Sequence, residues 1–159
     1  MTDIATHDVA HRFAAAFGTR LVDRVLECFT PDAEYHDLFY GRFSGQAELR
    51  RLFGRMYAEG DRHEWTMTRV VSTPACTIGE WHFAFTVSAR VPRSSGRRLT
   101  FDGVSVFETR AGRCHAYREY FDRTAALRAL GISPAAIDRI TAGRPTVEVT
   151  GNGPGPLRA

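Results

Sequence analysis

The chain has 159 residues, 43% hydrophobic and 25% charged, a balance that suits one globular domain and excludes collagen-like or disordered classes. Its net charge of +3 rests on 21 basic side chains, all of them arginine, so Schiff-base and P-loop lysine chemistry are excluded. No apolar run reaches membrane-spanning length and the first residues lack a signal peptide's apolar core, so a cytoplasmic protein without membrane contact is expected.

The first element reads as a helix. Val9, Phe13 and Phe17 recur every four residues, and Gly18 stands where a C-cap would. A short second helix carries Leu21, Val22, Val25 and Leu26, and Thr30-Pro31 is expected to break it. A strand follows over 33–38. Gly41 and Gly45 mark a loop, and Ser44 is placed to cap a third helix with Leu49, Leu52, Phe53, Met56 and Tyr57 on its apolar face. Gly60 ends that helix.

Beyond Gly60 the apolar period falls from near four to two. Strands are expected over 63–72, 78–90, 99–109 and 113–122. Thr73-Pro74, a polar hairpin over 92–98 and Arg110-Ala111-Gly112 form the turns. In the second of these strands Trp81, Phe83 and Phe85 share one face, and His82, Ala84 and Thr86 the other. A short helix over 124–130 and a last helix opened by Ser133-Pro134 complete a domain spanning 1–142. The tail over 143–159 is rich in Gly and Pro and is expected to be loose. Helices first and a strand meander after them predict an α+β fold, with helices packed on one face of a curved antiparallel sheet.

Cys28, Cys76 and Cys114 lack metal-site spacing and read as reduced structural thiols. The arginines are spread along the chain apart from Arg90, Arg93, Arg97 and Arg98, too thin a cluster for a nucleic-acid face. No metal site and no cofactor are expected.

The stretch FTPDAEYHDLFYGRFSGQAELRRLF, followed by FDGVSVFETRAGRCHAYREYFDRTAALRALG, resembles the SnoaL-like branch of the nuclear-transport-factor-2-like superfamily. The resemblance covers roughly residues 5 to 132. It implies a cone-shaped pocket wrapped by the curved sheet, for a small apolar organic molecule, and a homodimer. It also implies a choice of functions, because relatives include polyketide cyclases, ketosteroid isomerase, epoxide hydrolases and non-enzymatic binding domains.

Four residues are candidates for acid/base work. Asp37 shares a strand face with Ala33 and Tyr35 and matches the general-base aspartate of isomerase-like relatives; capping the following loop would be its structural role. Glu119 matches a catalytic aspartate of the epoxide hydrolases, with pairing to an arginine as its alternative. Glu64 stands at the spacing of the second carboxylate of polyether epoxide cyclases, or else on a solvated face. His82 interrupts an aromatic strand and is either an acid/base group or a satisfied core histidine. Tyr35, Tyr40, Tyr57, Tyr117, Phe101 and Ser105 are candidate pocket-wall residues that would contact substrate. Phe13 and Ser105 stand where the isomerase's oxyanion donors would fall, and Thr86 and Ser88 where the hydrolase's arginine and aspartate would. Neither chemistry is therefore implied unchanged. The expected function is a cofactor-independent cyclase, isomerase or epoxide-opening enzyme of secondary metabolism, acting on a polyketide- or terpenoid-like molecule. A binding domain and an epoxide hydrolase are its alternatives.

Overall fold

Apolar residues at helical spacing form α1 (Val9–Gly18). The Asp8 carboxylate accepts from the His11 N–H at 3.0 Å and caps its first turn. The helix closes through Thr19, and the left-handed residue is Arg20 at φ 60°, not Gly18. Next come α2 (Val22–Leu26), β1 (Phe29–Asp37), β2 (Gly41–Ser44) and α3 (Gly45–Glu59). Then follow β3 (Gly60–Ser72), β4 (Cys76–Val87), β5 (Arg98–Arg110), β6 (Arg113–Tyr120), α4 (Arg123–Ala129) and α5 (Pro134–Gly143). The computed structural model describes residues 8–148 and 150. The Gly/Pro-rich tail thus falls largely outside the described residues. Among them, no helix is long and apolar enough to cross a membrane.

Three local expectations are corrected. Residues 41–44, expected as loop, pair with β1 as a short edge strand. Thr30-Pro31 does not separate α2 from the strand. β1 begins at Phe29 and absorbs the proline in an irregularity between Phe29 and Glu34, where no ladder donor is needed. Ser44 does not cap α3 with its hydroxyl. That hydroxyl donates to Glu34 at 2.6 Å, while its backbone N–H is taken by Glu48 at 2.7 Å.

The six strands form one curved, unclosed sheet in the order β2-β1-β6-β5-β4-β3. Neighbours are antiparallel except β1 and β6, which run parallel, with Tyr35 opposite Tyr117 and His36 opposite Arg118. Helices α1 and α3 cover one face. Trp81, Phe83 and Phe107 are buried beneath them on that face. Gly103 lies opposite Trp81, and a Cβ there would come within 2.4 Å of the indole. The glycine gives the Trp81 ring its place in the wall.

Phe13 is the hub of the core. It is fully buried, and its ring lies 4.8 Å from Trp65 and 5.7 Å from both Phe29 and Phe107. Phe13→Ala should cost about 3–5 kcal/mol of unfolding free energy, read as a lowered urea midpoint with unchanged slope.

Candidate functional site

The parallel pairing of β1 and β6 builds the site. Tyr35 and Tyr117 stack at 4.1 Å between ring centroids. The next inward-facing residues along the two strands are Asp37 and Glu119. Both are buried, at 4% and 5% exposure, and both border one cavity of about 50 Å³. Its walls are aromatic: Phe39, Trp65, Trp81, Phe83, Phe101 and Phe121.

Asp37 ends β1, and its Oδ1 accepts the N–H groups of Phe39 and Tyr40 at 2.7 and 2.8 Å. The turn into β2 is thus capped by the carboxylate itself. Among the described residues Oδ2 takes no hydrogen bond. Burial pushes the Asp37 pKa up to about 6, against the lowering effect of those two N–H groups.

Glu119 terminates a directed chain of hydrogen bonds. The Trp81 indole N–H donates to Ser105 Oγ at 2.7 Å, and Ser105 and Tyr117 are bonded at 2.7 Å. Tyr117 donates to Glu119 Oε2 at 2.8 Å, and the Leu38 N–H donates to Oε1 at 3.1 Å. An indole can only donate, so the protons run from Trp81 towards Glu119. Burial, then the neighbouring Asp37 charge, hold the Glu119 pKa well above the usual carboxylate range despite these donors. The charge on Asp37 thus raises the pKa of Glu119, and the two carboxyls titrate as an interacting pair.

Three further polar groups border the cavity. The Tyr40 hydroxyl donates to Glu59 at 2.8 Å, and Glu59 is held by Arg55 at 2.8 Å. His63 stacks on Phe85, and its Nδ1 lies 2.9 Å from Arg20 Nη1. Arginine can only donate, so Nδ1 accepts and the ring proton sits on Nε2. Burial, then Arg20, lower the His63 pKa to about 4, which keeps the ring neutral near pH 7.

Asp37, Glu119, Tyr40 and Phe101 thus meet at one cavity. Ser105 and Tyr117 stand behind it, in the chain that orients Glu119. Tyr57 spends its hydroxyl on the Phe17 carbonyl at 2.8 Å, and Tyr35 is core under the Tyr117 stack. Glu64 and His82 are not brought to the cavity, because both point away from the helix-covered face. Glu64 pairs with Arg98 at 2.8 Å and His82 with Asp102 at 2.7 Å, the two acids largely and the two bases partly exposed. The group missed in sequence was His63; its shared parity with Trp65 was the available signal. The buried thiols of Cys28 and Cys114 are pushed up to about 11 and 12, mainly by burial, and are poor nucleophiles.

A larger open hollow of about 1110 Å³ runs along β1, β6, α4 and α5, bordered by His36, Arg42, Arg118, Arg123 and Asp138. Tyr117 and Glu119 border it as well. The smaller cavity is the candidate site: Asp37 and Glu119 meet there against aromatic walls. Among the described residues, no group of three or more His, Cys, Asp or Glu side chains is placed to hold a metal ion.

The family described as SnoaL-like domain matches residues 10–117. No curated protein matches by sequence. Among solved structures, a ketosteroid isomerase-like protein from Catenulispora acidiphila, in complex with trimethylamine, superposes with a TM-score of 0.69 at 16% identity, over 80% of this chain and 95% of its own. An LEH-like epoxide hydrolase from M. tuberculosis gives 0.63 at 21%, over 85% and 93%. A candidate polyketide cyclase from Pseudomonas putida gives 0.68 at 13%, over 76% and 94%. Such likenesses carry the fold, which is nuclear-transport-factor-2-like, and no activity.

The raised carboxyl pKa values set a pH dependence of stability. A protonated Asp37 is favoured by folding, so its contribution is complete below about pH 4, the ordinary value for the unfolded chain, and is lost as pH rises through about 6. Asp37→Asn keeps an oxygen for the Phe39 and Tyr40 N–H groups and removes the buried charge. The variant should be more stable than wild type above about pH 6, by on the order of 3 kcal/mol, with the difference vanishing below about pH 4. Urea unfolding at both pH values checks this.

Proposed function

The chain belongs to the SnoaL-like domain family, and from that premise we propose that it is a cofactor-independent acid/base enzyme acting on a small organic molecule of secondary metabolism. The observation that carries the reading is the convergence of Asp37 and Glu119, buried and of raised pKa, on one aromatic-walled cavity. An Asp37 that ionises at about pH 6 beside a Glu119 that keeps its proton to higher pH supplies a base and an acid at once near neutral pH.

In this reading Glu119 is the acid and Asp37 the base. Glu119 gives its proton to the oxygen of an epoxide or carbonyl as that oxygen gains charge. Asp37 Oδ2 accepts the proton of the attacking hydroxyl or of an acidic C–H. Asp37 then releases its proton to solvent and Glu119 takes one up, which restores the pair. The Tyr117–Ser105–Trp81 chain holds the Glu119 carboxyl in place and stabilises it once the proton has left. The His63 Nε2–H is a neutral donor for a substrate oxygen. The aromatic walls hold the substrate folded, so proximity adds to proton transfer. The reaction class is cyclisation, isomerisation or epoxide opening of a polyketide- or terpenoid-like molecule.

A second reading is favoured by one observation. At about 50 Å³ the cavity admits only the reacting end of such a substrate, and a small-molecule-binding domain would need no more. The homodimer is also part of the proposal. Val71, Ile78 and Tyr120 are exposed on the outer face of the sheet, where a second copy would cover them, and light scattering reads the mass.

Turnover decides between the readings. Wild type and the variants Asp37→Asn and Glu119→Gln are incubated with a panel of epoxide and polyketide-type substrates. Each substitution should lower kcat by at least about 100-fold with native circular dichroism retained. Wild-type rates in both variants would remove the pair from the chemistry. Binding without turnover in the wild type would leave the binding domain.

A further inference from the structure

The charge lining the cavity has one sign. Asp37, Glu119 and Glu59 border it, and no arginine does, although the chain carries 21 basic residues. Glu59 is answered by Arg55, which also lies over the Tyr40 ring at 4.8 Å. His63 is neutral, since its Nδ1 accepts from Arg20. Arg144 and Arg123 reach the same turn from outside and donate to the Phe39 and Leu38 carbonyls, and Arg144 and Arg55 act on Asp37 from outside the cavity by charge alone. The Asp37–Glu119 pair therefore has no cationic partner within the cavity.

The remaining wall presents π-systems. Trp65 and Trp81 lie 5.6 Å apart, Trp65 and Phe83 4.9 Å, Phe83 and Phe101 5.6 Å, and Phe101 and Phe121 4.9 Å. These rings form one continuous lining. Ring faces attract a cation, most strongly where water is excluded. A buried carboxylate without a partner is costly, and a ligand cation removes that cost. The cavity of about 50 Å³ has room for roughly three to five water-sized groups.

From the one-signed charge, the aromatic lining and the size, we infer that the cavity is a receptor for a small organic cation, the tertiary or quaternary ammonium head of an amine. The cation takes the place of the proton held at the two carboxyls. Binding leaves both ionised, with the positive charge between them and the rings, and one proton passes to solvent. The inference goes beyond the acid/base reading, because it concerns the charge of the occupant and not its turnover.

The test uses the full chain and two molecules of like size and shape, tetramethylammonium and tert-butanol, in isothermal titration calorimetry. Tetramethylammonium should bind at least about ten-fold tighter near neutral pH. Its affinity should rise as pH increases through about 6, where the competing proton leaves Asp37. The apparent enthalpy should change with the buffer's ionisation enthalpy, which reports the released proton. Asp37→Asn and Glu119→Gln should each weaken the cation about ten-fold while leaving tert-butanol unchanged; a misfolded variant would lose both. Equal or tighter binding of tert-butanol, no binding of the cation, or cation binding indifferent to both substitutions would overturn the inference. Turnover of a neutral substrate without cation binding would sink it and leave the acid/base reading standing.

Discussion

The parallel contact between β1 and β6 sets two carboxyl groups side by side in an aromatic interior. Burying one ionised carboxylate without a partner is costly, and burying two is more so. The surrounding structure works against that cost first with donors, and at Asp37 also with the more distant charges of Arg144 and Arg55. Asp37 is served by the N–H groups of its own turn, Glu119 by the Leu38 N–H and the Tyr117 hydroxyl. These donors do not lower either pKa to the ordinary range. The pair is left holding a proton it can give up, which is what a reactive site requires and a structural ion pair does not.

The same logic orders the layers around the pair. The Tyr117–Ser105–Trp81 chain crosses three adjacent strands, β6, β5 and β4, and ends in a donor that cannot reverse. Gly103 leaves the space the indole needs to reach Ser105. Phe13, on α1, presses on Trp65, Phe107 and Tyr117 at once. Helix packing and the orientation of Glu119 are thereby linked through a few rings. Arg20 ties the end of α1 to the cavity rim, bonding the Tyr57 and Gly60 carbonyls and His63. A left-handed φ at a non-glycine residue costs energy, and here it aims a guanidinium that, after burial, helps keep His63 neutral.

Much of this was legible in the chain itself. The α+β class, the five helices and the order of the long strands follow from local periods, and local periods are written in consecutive residues. Asp37 and Glu119 were legible as candidates by alternation and by resemblance. Glu64 and His82 were not separable from them, because alternation divides a strand into two faces without saying which one the helices cover. Trp81 and Phe83 take the covered face, and His82 therefore faces outward. The short strand over 41–44 was hidden because its pairing with β1 depends on a turn that Asp37 itself caps.

Composition and period by themselves determined a lysine-free α+β chain with an aromatic strand face, and the resemblance added Asp37 and Glu119 as candidate acids. Only the tertiary structure decided that those acids meet. Leu38 and Glu119 are 81 residues apart in sequence and 3.1 Å apart in space. That contact depends on the register between two distant strands, and no local pattern encodes it. The raised pKa values belong to the same level, because desolvation and mutual repulsion exist only once the helices have closed over the sheet and the two side chains share one water-poor cavity.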